Sequence, residues 1–315
     1  MTEPRDLKTV VILNAGAGGG SMLECFRRIE HRLFDLFGDF ELHYTEARCH
    51  AIELTRQALR NGGRRILAGG GDGTVNEVVN GFFGEDGKLI SPEAILGLLP
   101  GGTGGDLRKT LGIADEVSAL QALASGKTMT TDVGLLSYRD DEGMPAKRYF
   151  VNIASFGFSG SVDRFVENFN NLPGQWAYLA ATARAMFDYT TPTVNLSIDE
   201  HFEAYAPIST VAVANGKFFG GGMKVAPGAL VNDGLFNVTV LGAMTRLELL
   251  GLARTIYDGQ HLEEGKVLSL EGRVVEATSD EEVPLDVDGE ALGWLPAKFE
   301  IIPRVLNVCV GEVLQ

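Results

Sequence analysis

Three times in its first 106 residues the chain runs a short apolar segment into a glycine-rich loop and then into a helix-like pattern. The pairs are KTVVIL with NAGAGGGS, RRILA with GGGDGT, and AILGLL with PGGTGGD. A short apolar run bounded by glycine reads as a buried strand. Buried strands alternating with helices require a parallel sheet covered on its faces, and such sheets bind ligands at the carboxyl ends of their strands. Glycine backbone approaches a ligand closely, and successive N–H groups form an anion nest. The N-terminus of the following helix adds partial positive charge. Three such loops at one sheet edge point to a phosphate site built from backbone.

The intervening residues fit this scheme. MLECFRRIEHRLFDLF sets Leu23, Phe26, Ile29, Leu33, Phe34 and Phe37 on one helical face, and Gly38 stops it. FELHYT (40–45) is strand-like; AIELTRQALR, VNEVVNGFF, DLRKTL and DEVSALQALAS are helix-like. The second half changes character. RYFVNIASFGF, TVNLSI, FEAYAPISTVAVANG, LFNVTVLGA, KVLSLEGRVVEAT, VPLDV and KFEIIP read as strands, with helices near 174–188 and 245–258. The expected architecture is α/β plus β-rich. A Rossmann-like parallel-sheet nucleotide domain covers 1–132, with the C-terminal strand 304–315 as a candidate to join it. A mostly antiparallel β-sandwich domain covers 133–303. The polar SYRDDEGMPAKRY near the junction reads as a hairpin tip or linker.

A length of 315 residues is ample for two domains. Glycine numbers 40, about one residue in eight against a usual ~7%. These glycines cluster after apolar runs, so they mark turns rather than linkers. A net charge of −15 opposes nucleic-acid binding and broad attraction to anionic membranes. Cys25, Cys49 and Cys309 show no metal spacing. With no signal-peptide layout and no apolar run near ~18 residues, the expectation is a cytoplasmic protein without a transmembrane segment.

GAGGGS (16–21) approaches G-x-G-x-x-G, but Ser21 replaces the last glycine. With Glu46 as a ribose ligand, a dinucleotide-dependent oxidoreductase stays open as a rival. SGKT (125–128) has Gln121 where a P-loop needs glycine, and it follows a helix. Thr74 and Glu77 form T-x-x-E, a capping-box pattern. Asp106 reads as an N-cap, and Asp288-Gly289 as a hairpin turn. Asp72 has no such local role; a carboxylate among backbone donors suits Mg²⁺ or nucleotide orientation.

GGDGTVNEVVNGF resembles the signature of the diacylglycerol kinase catalytic domain family, which includes diacylglycerol, sphingosine and ceramide kinases and bacterial soluble lipid kinases. VILNAGAGGG, LGLLPGGTGGDLRKTLGI, FVNIASFGFSGSV, VANGKFFGGGMKVAPGALVNDGLFNV and LDVDGE resemble five further segments, in the family's order. Ala15 and Gly105 depart from the usual Pro and Asn, which puts nucleotide affinity in question. The resemblance implies a nucleotide domain like those of NAD kinases and phosphofructokinases. It also implies transfer of the γ-phosphate of ATP, with Mg²⁺, to a lipid hydroxyl of the diacylglycerol, phosphatidylglycerol, sphingoid or polyprenol kind.

By this resemblance Asn14, Thr45, Gly70, Gly71, Asp72, Gly73, Thr74, Asn76, Thr103 and Asp106 line the nucleotide, and Asp72 and Asp106 arrange metal and phosphates. Glu290 is the general base and Asp288 helps to position metal or acceptor. Asp233, with the carbonyls of Leu230 and Leu235, holds a structural divalent ion. KFFGGGM (217–223) and 167–187 are expected to lodge the acyl chains. The lipid partner is met peripherally, at the inner membrane surface, and a homodimer is left open. Two rivals remain: an NAD kinase-like soluble-metabolite kinase, and a non-catalytic lipid- or nucleotide-binding regulator.

Overall fold

The computed structural model describes residues 7–101, 105–166, 169 and 174–311. The chain divides into two compact units, 1–131 with 304–315, and 132–303.

The first unit carries β1 (Thr9–Leu13), α1 (Ser21–Phe37), β2 (Glu41–Tyr44), α2 (His50–Arg60), β3 (Arg65–Gly69), α3 (Asp72–Phe82), β4 (Ile95–Leu99), α4 (Asp106–Thr110) and α5 (Glu116–Ser125). Its strands pair in parallel in the order β2-β1-β3-β4. Asn307 and Val308 of the C-terminal strand add beside Ile95 and Leu96 of β4, also in parallel. β1, β3 and most of β4 are buried, as strands covered on both faces must be. α1 buries Met22, Cys25, Phe26, Ile29, Leu33 and Phe37. Phe34, expected on that face, is 53% exposed, because it lies about 100° round the helix from Leu33.

The second unit begins within β5 (Thr128–Arg139) and continues with β6 (Pro145–Phe150), β7 (Ile153–Gly157), α6 (Phe158–Val166), α7 (Gly174–Phe187), β8 (Thr193–Ile198), β9 (Phe202–Ala214), β10 (Phe236–Gly242), α8 (Arg246–Thr255), β11 (Val267–Gly272), β12 (Val274–Thr278), β13 (Pro284–Val287) and β14 (Glu290–Cys309). β7, β13, β14, β12, β8 and β9 pair antiparallel in that order, and β9 pairs back with β7. This closed ring leaves none of the six with a bare edge, which removes the usual liability of a β-rich unit. Phe150, Phe156, Phe236 and Phe299 are fully buried in its core. Phe150 stacks on Phe236 at 5.6 Å and Phe156 on Phe299 at 6.1 Å. Each such ring contributes about 1.5–3 kcal/mol by burial.

Several local expectations need correction. RYFVNIASFGF is not one strand: β6 ends at Phe150 and β7 resumes at Ile153. KVLSLEGRVVEAT likewise divides into β11 and β12. β5 adds a strand that the sequence pattern does not show, because Asp132 and Gly134 interrupt its apolar run. SYRDDEGMPAKRY closes the β5–β6 hairpin, with Asp140 N–H bonded to the Met144 carbonyl at 3.0 Å.

Candidate functional site

In the first unit Leu13 pairs with Tyr44 and Gly69, and Gly69 pairs with Leu99. The four strands therefore end level, and every loop leaving a carboxyl end rises from one edge. The sequence dictates this: each apolar run stops where its glycines begin.

In the first loop Gly18, Gly19 and Gly20 take φ of 61°, 67° and 97°, a left-handed run open to glycine at little cost. A side chain added at Gly19 or Gly20 would meet open space, so the constraint there is backbone conformation. Asn14 braces the loop: its Oδ1 accepts from Gly16 N–H at 3.2 Å, and its Nδ2 donates to Thr74 Oγ1 at 3.2 Å. Thr45 N–H donates to the Leu13 carbonyl at 3.0 Å, holding that residue beside the first loop. Ser21 Oγ donates to the Gly101 carbonyl at 2.6 Å, and Cys25 Sγ to the Pro100 carbonyl at 2.8 Å. Burial and the nearby Glu116 push the Cys25 thiol up to about 12.

Asp72 is the first residue of α3, after Gly71 as N-cap. Its Oδ2 accepts from Gly105 N–H at 2.6 Å, and its Oδ1 from Asp106 N–H at 3.1 Å. Burial raises the Asp72 pKa, the Gly105 bond opposes that rise, and the neighbouring Asp106 reinforces it. Asp106 is buried and pairs with Lys109 at 2.8 Å. Gly105, not Asp106, is the N-cap of α4, with φ of 100°. Gly70, Gly71 and Gly73 are half-buried. Thr103 lies outside the described residues.

The T-x-x-E capping box does not form. α3 starts at Asp72, which leaves Thr74 inside the helix. Glu77 instead accepts from Cys49 N–H at 2.7 Å and Ala51 N–H at 3.1 Å, capping α2. Asn76 is buried, and its Oδ1 accepts from Asn80 Nδ2 at 3.0 Å.

In the second unit Asp288 and Gly289 form the two-residue turn between β13 and β14, with φ of 50° and 82°. Positive φ at both positions matches the twist of a tight hairpin. Asp288 Oδ1 accepts from Ile153 N–H at 2.9 Å, and its own N–H donates to the Ile153 carbonyl at 2.9 Å. The next residue, Glu290, accepts from Arg148 Nη2 at 3.0 Å. Asp233 is exposed, and its Oδ1 accepts from Leu235 N–H at 3.0 Å. Leu230 is 53% exposed.

Sequence reasoning missed three acids in this unit. Asp132 is fully buried, and its Oδ2 accepts from Gly234 N–H at 2.7 Å. Asp163 and Asp286 are hydrogen-bonded to each other. Neither location could be read from a motif, since each partner is distant in sequence. Among residues considered for the lipid chains, Phe219 packs into a small core, while Trp176, Leu179 and Phe187 of α7 are exposed. The remainder of that segment, 167–168 and 170–173, lies outside the described residues. No group of three or more His, Cys, Asp or Glu side chains suited to a metal occurs among the described residues. No helix among them is long and apolar enough to cross a membrane.

A parallel-sheet unit with glycine-rich loops, followed by a closed antiparallel unit bearing acids on a tight turn, is an arrangement that comparison with known proteins places among kinases with an alcohol acceptor. Residues 8–136 match the diacylglycerol kinase catalytic domain, and 152–310 match the YegS C-terminal NAD kinase beta sandwich-like domain. The chain belongs to this diacylglycerol kinase and YegS-like lipid kinase family. It is 32% identical over 266 residues to a Chromohalobacter salexigens protein named "Probable lipid kinase YegS-like", covering 83% of this chain and 80% of that one. It is 27% identical over 274 residues to the diacylglycerol kinase of Bacillus subtilis, covering 86% and 85%. A crystal structure of a Bacillus anthracis diacylglycerol kinase shares the fold, with a TM-score of 0.69 and 18% identity over 97% of each chain.

Proposed function

We propose that the chain transfers the γ-phosphate of ATP, with Mg²⁺, to the hydroxyl of a diacylglycerol-like, phosphatidylglycerol or sphingoid lipid. One observation carries the reading most: Asp72 binds the N–H groups of Gly105 and Asp106, so a carboxylate stands among the glycine loops. Phosphoryl transfer depends chiefly on positioning and charge neutralisation, which such a set can supply.

The residues fit the nucleotide and its metal. Asn14, Thr45, Gly70, Gly71, Gly73, Thr74 and Thr103 would hold phosphates and sugar through backbone N–H groups and small polar side chains. Asp72 and Asp106 offer the hard oxygens that Mg²⁺ prefers. Bound there, the ion would neutralise phosphate charge. Asn76, buried in α3, serves the site by supporting that helix from within. Glu290, oriented by Arg148, would accept the proton of the lipid hydroxyl, and Asp288 would lock the turn that presents it. The exposed Asp233 carboxylate and the carbonyls of Leu230 and Leu235 would hold a structural divalent ion through oxygen alone, the donor type such an ion prefers. A lipid acceptor implies peripheral contact with a membrane surface.

The test is transfer of labelled phosphate from ATP·Mg²⁺ to a lipid panel in mixed micelles, with NAD as a soluble acceptor. Labelled lipid is expected. Labelled NAD with no labelled lipid would overturn the reading.

A further inference from the structure

We propose that Asp163 and Asp286 form a carboxyl pair that positions the Asp288–Gly289–Glu290 turn for phosphoryl transfer. This rests on the reading of Glu290 as the base.

Asp286 lies within LDVDGE, where the resemblance gives it no role, and it anchors the turn. It is 4% exposed. Its Oδ1 accepts from Gly289 N–H at 3.1 Å, which ties the strand before the turn to the turn's own second residue. Its Oδ2 accepts from Ser155 Oγ at 2.6 Å, on the neighbouring strand β7. Ser155 Oγ lies 2.7 Å from Ser159 Oγ, in the first turn of α6. Asp163, one helical turn further along α6, is hydrogen-bonded to the Asp286 carboxyl.

The donors assign the proton. Both Asp286 oxygens already receive N–H or O–H groups, so Asp286 is the acceptor. Two carboxylates in contact hydrogen-bond only if one of them carries a proton. Asp163 is therefore the donor. Burial first, then the proximity of Asp286, raises the Asp163 pKa well above the carboxylate range, in keeping with this assignment. Arg164 Nη2 donates to Asp141 Oδ1 and the Gly293 carbonyl, and Arg148 Nη2 to Glu290. The Asp288 carboxylate is directed to Val151 and Ile153 N–H.

The consequence is a chain of fixed bonds from α6 through Asp163 and Asp286 to Gly289, the residue before Glu290. A misplacement of about 1 Å at a reacting group can cost about 10²-fold in rate. Asp163 and Asp286 are thus positioning residues: they touch the turn, not the substrate.

The test compares wild type, Asp163→Asn, Asp163→Leu, Asp286→Ala and Glu290→Gln. For each, kcat and the KM for ATP are measured on whichever of diacylglycerol, phosphatidylglycerol or a sphingoid base in mixed micelles the wild type phosphorylates. Amide exchange at Gly289 is followed by NMR on the full chain. Asparagine at 163 keeps a donor toward Asp286, so Asp163→Asn is expected to hold kcat within about threefold. Asp163→Leu and Asp286→Ala are expected to lower kcat about 10²-fold with the KM for ATP unchanged. Alanine leaves no acceptor for the Gly289 N–H, so in Asp286→Ala that amide should also lose its protection, whatever the stability of the leucine variant.

Full kcat in Asp163→Leu and Asp286→Ala, with Glu290→Gln inactive, would overturn the inference and leave the proposed function standing. Unchanged Gly289 exchange in Asp286→Ala would overturn it as well. Full kcat in Glu290→Gln would instead remove the premise, overturning the assignment of the base and this inference together.

Discussion

Gly105 N–H donates a 2.6 Å hydrogen bond to Asp72 Oδ2, so the loop after β4 is tied to the first residue of α3. Two glycine-rich segments far apart in sequence thereby become one surface. The tie between them is a carboxylate.

Replacing Asp72 by Asn removes the charge from these bonds. Hydrogen bonds to charged groups contribute about 1.5–3 kcal/mol, so ATP affinity should fall at least about tenfold. Isothermal titration with ATP·Mg²⁺ checks this. The pH dependence has a definite sign. Burial raises the Asp72 pKa, so the carboxylate is lost at a higher pH than an ordinary aspartate as the solution is acidified. ATP affinity should therefore weaken earlier on the acid side than an unperturbed carboxylate would allow, and Asp72→Asn should flatten that limb.

Gly105 stands where the family resemblance leads one to expect Asn, and its φ is 100°. A Cβ there would also collide with the Arg108 side chain. Gly105→Asn should thus weaken ATP binding in this chain rather than restore it. Left-handed backbone strain costs about 1–3 kcal/mol, and each kcal/mol lowers Tm by about 2–4 °C in a unit of 150–250 residues. Calorimetry showing an unchanged or raised Tm would contradict this account of the loop.

Glu77 bonds two N–H groups at the start of α2 from within α3. Glu77→Ala should destabilise the protein by about 1–2 kcal/mol, the usual effect of a lost cap. Urea unfolding measures it. A change below about 0.3 kcal/mol would mean that the cap is dispensable.

The cysteines differ sharply. Cys49 is exposed, whereas Cys25 and Cys309 are buried with thiols raised to about 12 and about 11, in each case chiefly by burial. Thiolate is the reactive form. The native protein should react rapidly with one equivalent of a thiol reagent, at Cys49, and with two more only on unfolding.

Much of the first unit was legible because β1, β3 and β4 are apolar on both faces and run into glycine-rich loops. The closed ring of the second unit was legible strand by strand but not as a ring. Pairings such as Val275 with Ile198, or Val287 with Ala154, join residues too distant for a pattern to register. Local rules misled where tertiary contacts outbid them. Glu77 fits a capping box with Thr74, yet α2 offers it two free N–H groups and α3 begins two residues earlier. Asp288-Gly289 was readable as a turn from residue type alone. The acids beneath that turn were not, because Asp163 and Asp286 meet only through the packing of α6 on β13.

The most direct measurement is phosphate transfer by the Glu290→Ala protein beside its ATP affinity. A general base contributes about 10²–10⁴-fold, so transfer to lipid should fall by that factor while ATP·Mg²⁺ binds within about twofold of wild type. Transfer within a few-fold of wild type would contradict the role of Glu290, and with it the assignment of acceptor chemistry to the second unit.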